Sequence, residues 1–184
     1  MIERDRADGP ELILRPWSDG DLGLLRRINA PEMTAHLGGP ETEEKLLARH
    51  ARYVGIEAAG ESHMWRIDRL TDPGAADLGA ADARSVGSIG IWPSDWQGDP
   101  GWETGWSILP EFQGQGLASA AAREVVRRAR GFARFEWLYA FPGVGNVPSN
   151  AVCRSAGFEK VGEEDVEYPK GSLMRAGVWR IRVG

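Results

Sequence analysis

Two stretches of the chain carry residue types at spacings that could do chemistry. The first is Gln113-Gly114-Gln115-Gly116-Leu117-Ala118, between a short apolar run ended by Pro110 and a long helical pattern. Glycines let backbone amides converge on an anion with no Cβ in the way. The first turn of a helix adds N–H groups without partners and a partial positive charge. Together these features can hold a pyrophosphate. The dinucleotide fingerprint does not fit, because position 119 is Ser119 rather than glycine, and the Gly-Lys-Ser/Thr of a P-loop is absent. Taken alone, the turn is equally a plain strand-to-helix connection with no ligand. The second stretch is Asn146 to Phe158, with Asn146, Ser149 and the lone Cys153 ahead of Gly157.

These groups need elements to position them. Glu11 to Arg15 reads as a strand stopped by Pro16, and Ser18 or Asp19 caps a helix through Leu22, Leu25 and Ile28. Thr42 opens a second helix reaching about Glu57. His63 to Leu70 alternates as a strand, and Thr71 to Arg84 reads as an exposed loop. Val86 to Trp92 and Trp102 to Leu109 are strands on either side of a turn over Pro93 to Gly101. Gly116 to Arg130 is the clearest helix, with Ala118, Ala122, Val125, Val126 and Ala129 at helical spacing and Gly131 as its stop. Phe135 to Phe141 is a strand. Pro148 to Ala156 is a helix with Asn146 as its cap, and two strands, Phe158 to Tyr168 and Leu173 to Val183, finish the chain. This order predicts a mixed α/β (α+β) sheet with helices on its faces, in one domain over 1–184.

Composition narrows the class. With 42% hydrophobic and 27% charged residues the chain is ordinary for a globular protein. The net charge of −5 argues against nucleic acid and suits a cationic or amine substrate better. One cysteine can form neither an internal disulfide nor a thiolate metal site, and His36, His50 and His63 show no metal-ligand spacing, so no metal is expected. There is no signal-like N-terminus and no run of about 18 apolar residues, which points to a cytoplasmic protein without a membrane segment. Several of the eight tryptophans gather between Trp92 and Trp106, where Trp92, Trp96, Trp102 and Trp106 could wall a pocket or simply fill the core.

The Leu109 to Ala118 segment resembles the acetyl-CoA motif of the GNAT (Gcn5-related N-acetyltransferase) superfamily, Gln/Arg-x-x-Gly-x-Gly/Ala, with Gln113, Gly116 and Ala118 at its defining places. Asn146 to Phe158 resembles the family's later motif, Asn-x-x-Ser/Ala followed by a short helix and Gly-Phe. Leu12 to Asp21 and Glu103 to Ile108 resemble the Rim-type branch of ribosomal-protein N-terminal acetyltransferases most closely.

The resemblance implies a mostly antiparallel sheet of about six or seven strands, with its fourth and fifth strands splayed. It implies an acetyl-CoA-dependent N-acetyltransferase that works by direct attack in a ternary complex. The acceptor would be a small-molecule amine or a protein N-terminus. A noncatalytic acyl-CoA-binding module is the other reading, and homodimers are common in the family. Pantetheine would lie along Trp106, Ser107, Ile108 and Leu109. The amides of Gln113, Gly114, Gln115, Gly116, Leu117 and Ala118 would hold the pyrophosphate, and Asn146 and Ser149 would touch the pantetheine arm.

An ammonium with a pKa of about 10 cannot attack until it loses a proton. Glu103 is the candidate base, with Trp102 and Trp106 able to desolvate it; it could equally anchor the substrate cation or sit solvated. Cys153 stands where many members have a tyrosine acting as general acid; it could donate as a thiol of pKa about 8.5 or be a small buried hydrophobe, which leaves Ser149 or solvent to protonate the leaving thiolate, with Tyr139 a further candidate or a core residue. Acceptor contacts are expected from His36, Trp92, Trp102 and Glu103.

Overall fold

In the computed structural model, residues 10–35, 38–56, 60–70, 83–167, 171 and 173–184 are described. Seven strands pair into one sheet: β1 (Leu12–Pro16), β2 (His63–Leu70), β3 (Ala83–Trp96), β4 (Asp99–Ile108), β5 (Trp137–Ala140), β6 (Glu159–Glu167) and β7 (Leu173–Arg182). Their order is β1-β2-β3-β4-β5-β7-β6. Every neighbouring pair is antiparallel except β4 and β5, which are parallel.

The helices are α1 (Leu22–Ile28), α2 (Pro31–Thr34), α3 (Glu43–Gly55), α4 (Leu117–Phe132) and α5 (Val147–Ser155). Strand alternation sorts the two faces of the sheet. Leu14, Trp65, Ile67, Ile89, Ile91 and Trp102 face α4, which buries Leu117, Ala121, Ala122, Val125, Val126 and Ala129 toward them. Burying each larger side chain there contributes about 1.5–3 kcal/mol. Met64, Ser88, Trp92 and Glu103 stand on the other face, toward α1 and α3.

The parallel pairing of β4 and β5 is limited to Trp102 with Leu138 and Glu103 with Tyr139. β5 stops at Ala140, two residues before Pro142, whereas β4 continues along β3 to Ile108. The two strands therefore part after Glu103 and leave a wedge.

Three local readings are corrected. Pro93 to Gly101 is not a turn, because β3 and β4 continue as a hairpin through it. Only Gln97 and Gly98 turn, with φ of 55° and 84°, the two-residue hairpin geometry whose handedness matches strand twist. Pro93 is tolerated there because β2 ends opposite Ile91 and asks nothing of the strand beyond it. Gly131 does not end α4; the helix reaches Phe132, and Ala133 takes the left-handed cap position with φ 48°. Arg84 belongs to β3 rather than to a loop, while 71–82 lie outside the described residues.

A buried ionic network ties α1 to the sheet. Arg66 donates to Asp21 Oδ1 at 2.7 Å and to both oxygens of Asp68 at 2.8 and 2.9 Å. Arg15 and Ser85 complete the Asp68 shell, each at 3.0 Å, and the Ser18 backbone N–H and hydroxyl both donate to Asp21 at 2.8 Å. Both carboxylates are buried, and Arg66 is pushed above its ordinary value, chiefly by Asp68. Among the described residues no helix is long and apolar enough to cross a membrane.

Candidate active site

A cleft of about 1060 Å³ runs across the wedge. One wall comes from α1 to α3, including Leu25, Arg49 and Tyr53. The floor is β3 and β4, with Trp92, Ser94, Glu103 and Trp106. The far wall is the chain from Ala140 to Asn146, with Ser149.

Glu103 stands at the point where β4 leaves β5. Its carboxyl is half-buried, and burial pushes its pKa above the ordinary carboxylate value. Two donors oppose that shift. The Ser94 hydroxyl donates to Glu103 Oε2 at 3.0 Å, and the indole of Trp92, its cross-strand neighbour, also favours the carboxylate. Trp92 can do so because its indole lies on bare backbone. Gly90 and Gly105 are cross-strand partners. A Cβ on Gly105 would come within 3.0 Å of the Trp92 ring, and one on Gly90 within 3.5 Å. The desolvation expected of Trp102 comes from elsewhere. Trp102 is 1% exposed on the α4 face, packed edge-on to Phe135 and tilted against Phe132. It is a core residue and does not line the cleft.

The far wall is held by side chains. Asn146 Oδ1 caps α5 by accepting from the Ser149 amide at 3.1 Å. Asn150 donates to the carbonyls of Gly143 and Asn146 at 2.9 and 2.8 Å, and accepts from the Trp179 indole at 2.9 Å. Asn150 was not singled out from sequence, although its place within the Asn146 motif was visible. Cys153, one turn beyond Ser149, is fully buried, and burial pushes its thiol up to about 12. It does not reach the cleft. Tyr139 is buried too, its hydroxyl donating to Asp99 at 2.9 Å and its pKa pushed up to about 12, chiefly by burial. His36 lies outside the described residues.

At the end of β4, the side chains of Ile108 and Leu109 enter the core, and the Leu109 amide donates to Val86 at 2.9 Å. The Gln113 side chain donates to the Ile108 carbonyl at 2.9 Å and so turns the chain toward α4. Gln115 is turned outward, donating to the Glu111 carbonyl and accepting from Arg69. Gly114 and Gly116 have φ of 72° and 76°, the region that favours glycine. Among the described residues, a Cβ on Gly114 would meet nothing within 4 Å, whereas one on Gly116 would come within 3.6 Å of Pro10. The first helical bond runs from the Ala120 amide to the Gly116 carbonyl. The amides of Leu117, Ala118 and Ser119 thus have no acceptor within the helix.

The sheet is parted between two parallel strands, and a glycine turn feeds a helix beside the gap. The acetyltransferase (GNAT) domain pattern matches residues 11–159, and the chain belongs to that family of N-acetyltransferases. No curated protein matches it in sequence. Among solved structures it is similar to a GNAT-family acetyltransferase from Bacillus anthracis, with 17% identity, TM-score 0.72, and 94% and 96% of the two chains covered. It is similar to spermidine N-acetyltransferase from Vibrio cholerae, solved with CoA and spermine, at 16% identity, TM-score 0.71 and coverage of 94% and 95%. A third is the Salmonella typhimurium enzyme that modifies the N-terminal serine of ribosomal protein L7/L12, at 17% identity, TM-score 0.72 and coverage of 94% and 95%. At these identities the likeness is one of fold.

Proposed function

We propose that this chain transfers an acetyl group from acetyl-CoA to a primary amine, by direct attack while both substrates are bound. The observation that carries the reading is Glu103: a carboxyl raised by burial, in the cleft, where β4 and β5 part. A raised carboxylate takes a proton from an ammonium more readily near neutral pH than an ordinary one does.

The residues present suit the donor. The turn, uncrowded by described residues at Gly114, would leave room for a pyrophosphate against the first amides of α4. Trp106, Ser107, Asn146 and Ser149 line the wedge where a pantetheine arm would lie. Acetyl-CoA supplies the thioester carbonyl on which the amine acts. Glu103 takes the proton from the acceptor ammonium. With Cys153 and Tyr139 buried outside the cleft, Ser149 is the side-chain hydroxyl on the far wall that can give a proton.

The acceptor is a small-molecule amine or a protein N-terminus. The solved relatives support that range, one holding spermine and another modifying an N-terminal serine. The test is thiol release from acetyl-CoA against polyamines, aminoglycosides and N-terminal peptides. Turnover with one class supports the reading. Binding of acetyl-CoA with no turnover on any amine would leave only a binding module.

A further inference from the structure

Glu103 does not stand alone on β4. Its cross-strand neighbour is Trp92, and Ser94 follows two residues later on the same face of β3. The Ser94 hydroxyl lies 3.0 Å from Glu103 Oε2. The hairpin that carries Ser94 is tied down beyond it. The Trp96 indole donates to Glu164 on β6 at 2.7 Å, and Asp99 accepts from the Tyr139 hydroxyl on β5 at 2.9 Å. The Trp96 and Tyr139 rings sit 5.8 Å apart, and a Cβ on Gly101 would strike the Tyr139 ring at 2.5 Å. Ser94 is therefore held between the Trp92 slot and a fixed hairpin end.

We propose that Ser94 is a positioning residue for the acetyl transfer: its hydroxyl holds the Glu103 carboxylate in one orientation toward the acceptor amine. This rests on Glu103 being the base. A hydrogen bond to a charged group is worth about 1.5–3 kcal/mol, enough to fix a carboxyl that would otherwise rotate in a roomy cleft. Burial is the largest influence on this carboxyl, and Ser94 and Trp92 act against it. Among the described residues, the other ionisable groups around the cleft are Glu41, Lys45, Arg49 and Tyr53 on the helix side, Asp95 on β3, and Glu164, Glu167 and Arg175 on β6 and β7. Glu41 pairs with Arg49, Glu164 accepts from Trp96, and Glu167 accepts from the Gly171 amide. Ser94 is the residue that reaches Oε2 directly.

The sign of the effect is fixed. A general base must be deprotonated, so kcat/KM rises with pH through its pKa. Removing a donor that favours the carboxylate lets burial prevail and moves that rising limb to higher pH. The experiment compares Ser94→Ala, Ser94→Thr, Glu103→Gln and the Ser94→Ala/Glu103→Gln double variant in steady-state kinetics across pH. Ser94→Ala is expected to lower kcat about tenfold at neutral pH, move the rising limb upward and leave the KM for acetyl-CoA unchanged. Ser94→Thr keeps the hydroxyl and restores most of the rate. Ser94→Ala adds no further loss on the Glu103→Gln background. A limb that superimposes on the wild-type one, or an equal loss in both backgrounds, overturns the positioning role. Full activity of Glu103→Gln at every pH overturns the base itself, which is a separate outcome.

Discussion

The Gln113 to Ala118 turn and the Glu103 pocket are built from different materials. The turn is backbone: two glycines at positive φ, amides without helical acceptors, and side chains at Gln113 and Gln115 that brace the chain rather than face a ligand. The pocket is side chains brought together by register: Trp92 from β3 beside Glu103 from β4, with Ser94 beyond them. A backbone site is local, so its capacity to bind an anion should depend little on the rest of the sheet. A side-chain site depends on strand alignment, so it can tune a proton. Two substitutions should therefore fail in different ways.

The largest effect is expected at Glu103. Glu103→Gln should lower kcat by about 10²–10⁴ at neutral pH and leave the Kd for acetyl-CoA nearly unchanged. Rate measurements and calorimetric titration separate the two, and a lost affinity with a retained rate would reverse the assignment. Gly116→Val should do the opposite. Its φ of 76° suits no branched residue, so the substitution strains the turn that presents the amides, and the new Cβ stands 3.6 Å from Pro10. Affinity for CoA is expected to fall about 10–100-fold, while the pH dependence of kcat keeps its wild-type limb; unaltered affinity would count against an anion site there.

A smaller effect tests how the pocket is furnished. Gly105→Ala places a methyl 3.0 Å from the Trp92 ring, which must shift from its place beside Glu103. A several-fold drop in kcat is expected, together with a change in tryptophan fluorescence; no change in either would mean that the ring accommodates the methyl without moving. The smallest effect concerns stability. Because burial raises Glu103, its charged form costs folding energy above the folded-state pKa. That cost is relieved as pH falls through that pKa and is gone below the ordinary value of 4.5. Glu103→Gln should therefore melt a little higher than wild type at neutral pH, with the gap closing toward pH 4. A gap that widens as pH falls would contradict the sign.

The sequence exposes these two regions unequally. Glycine conformations, the Pro110 stop and the amphipathic helix are encoded within a dozen neighbouring residues, so the turn, α4 and the Asn146 cap are readable without a fold. Glu103 was visible as a lone acid in its strand, yet its partners were not. Ser94 lay inside a stretch rich in Pro, Asp and Gly that looked like a turn, and only pairing with β4 makes it a strand. Trp102 and Trp106 were both expected to desolvate Glu103. Alternation puts both on the α4 face; Trp102 lies where β5 still pairs with β4 and fills the core with Phe135, while Trp106 stands beyond that pairing, where the wedge opens, and lines the cleft. The Asp21, Arg66 and Asp68 network was illegible for the same reason, since its members are joined across β2, β3 and the start of α1.

The short pairing of β4 with β5 also has a consequence for cooperativity. Two pairs of residues join β1–β4 to the β5-β7-β6 half, so the backbone seam between them is the sheet's weakest line. Side chains of the β3–β4 hairpin cross that line as sutures, through Trp96 to Glu164 and Asp99 to Tyr139. Native-state hydrogen exchange should then find β5 amides opening at lower free energy than those of β2 and β3. Cutting the sutures should lower that threshold further without unfolding either half. If exchange divides there, the gap is in thermodynamic terms a hinge between two foldons, and a ligand lying in it would become part of what holds them together.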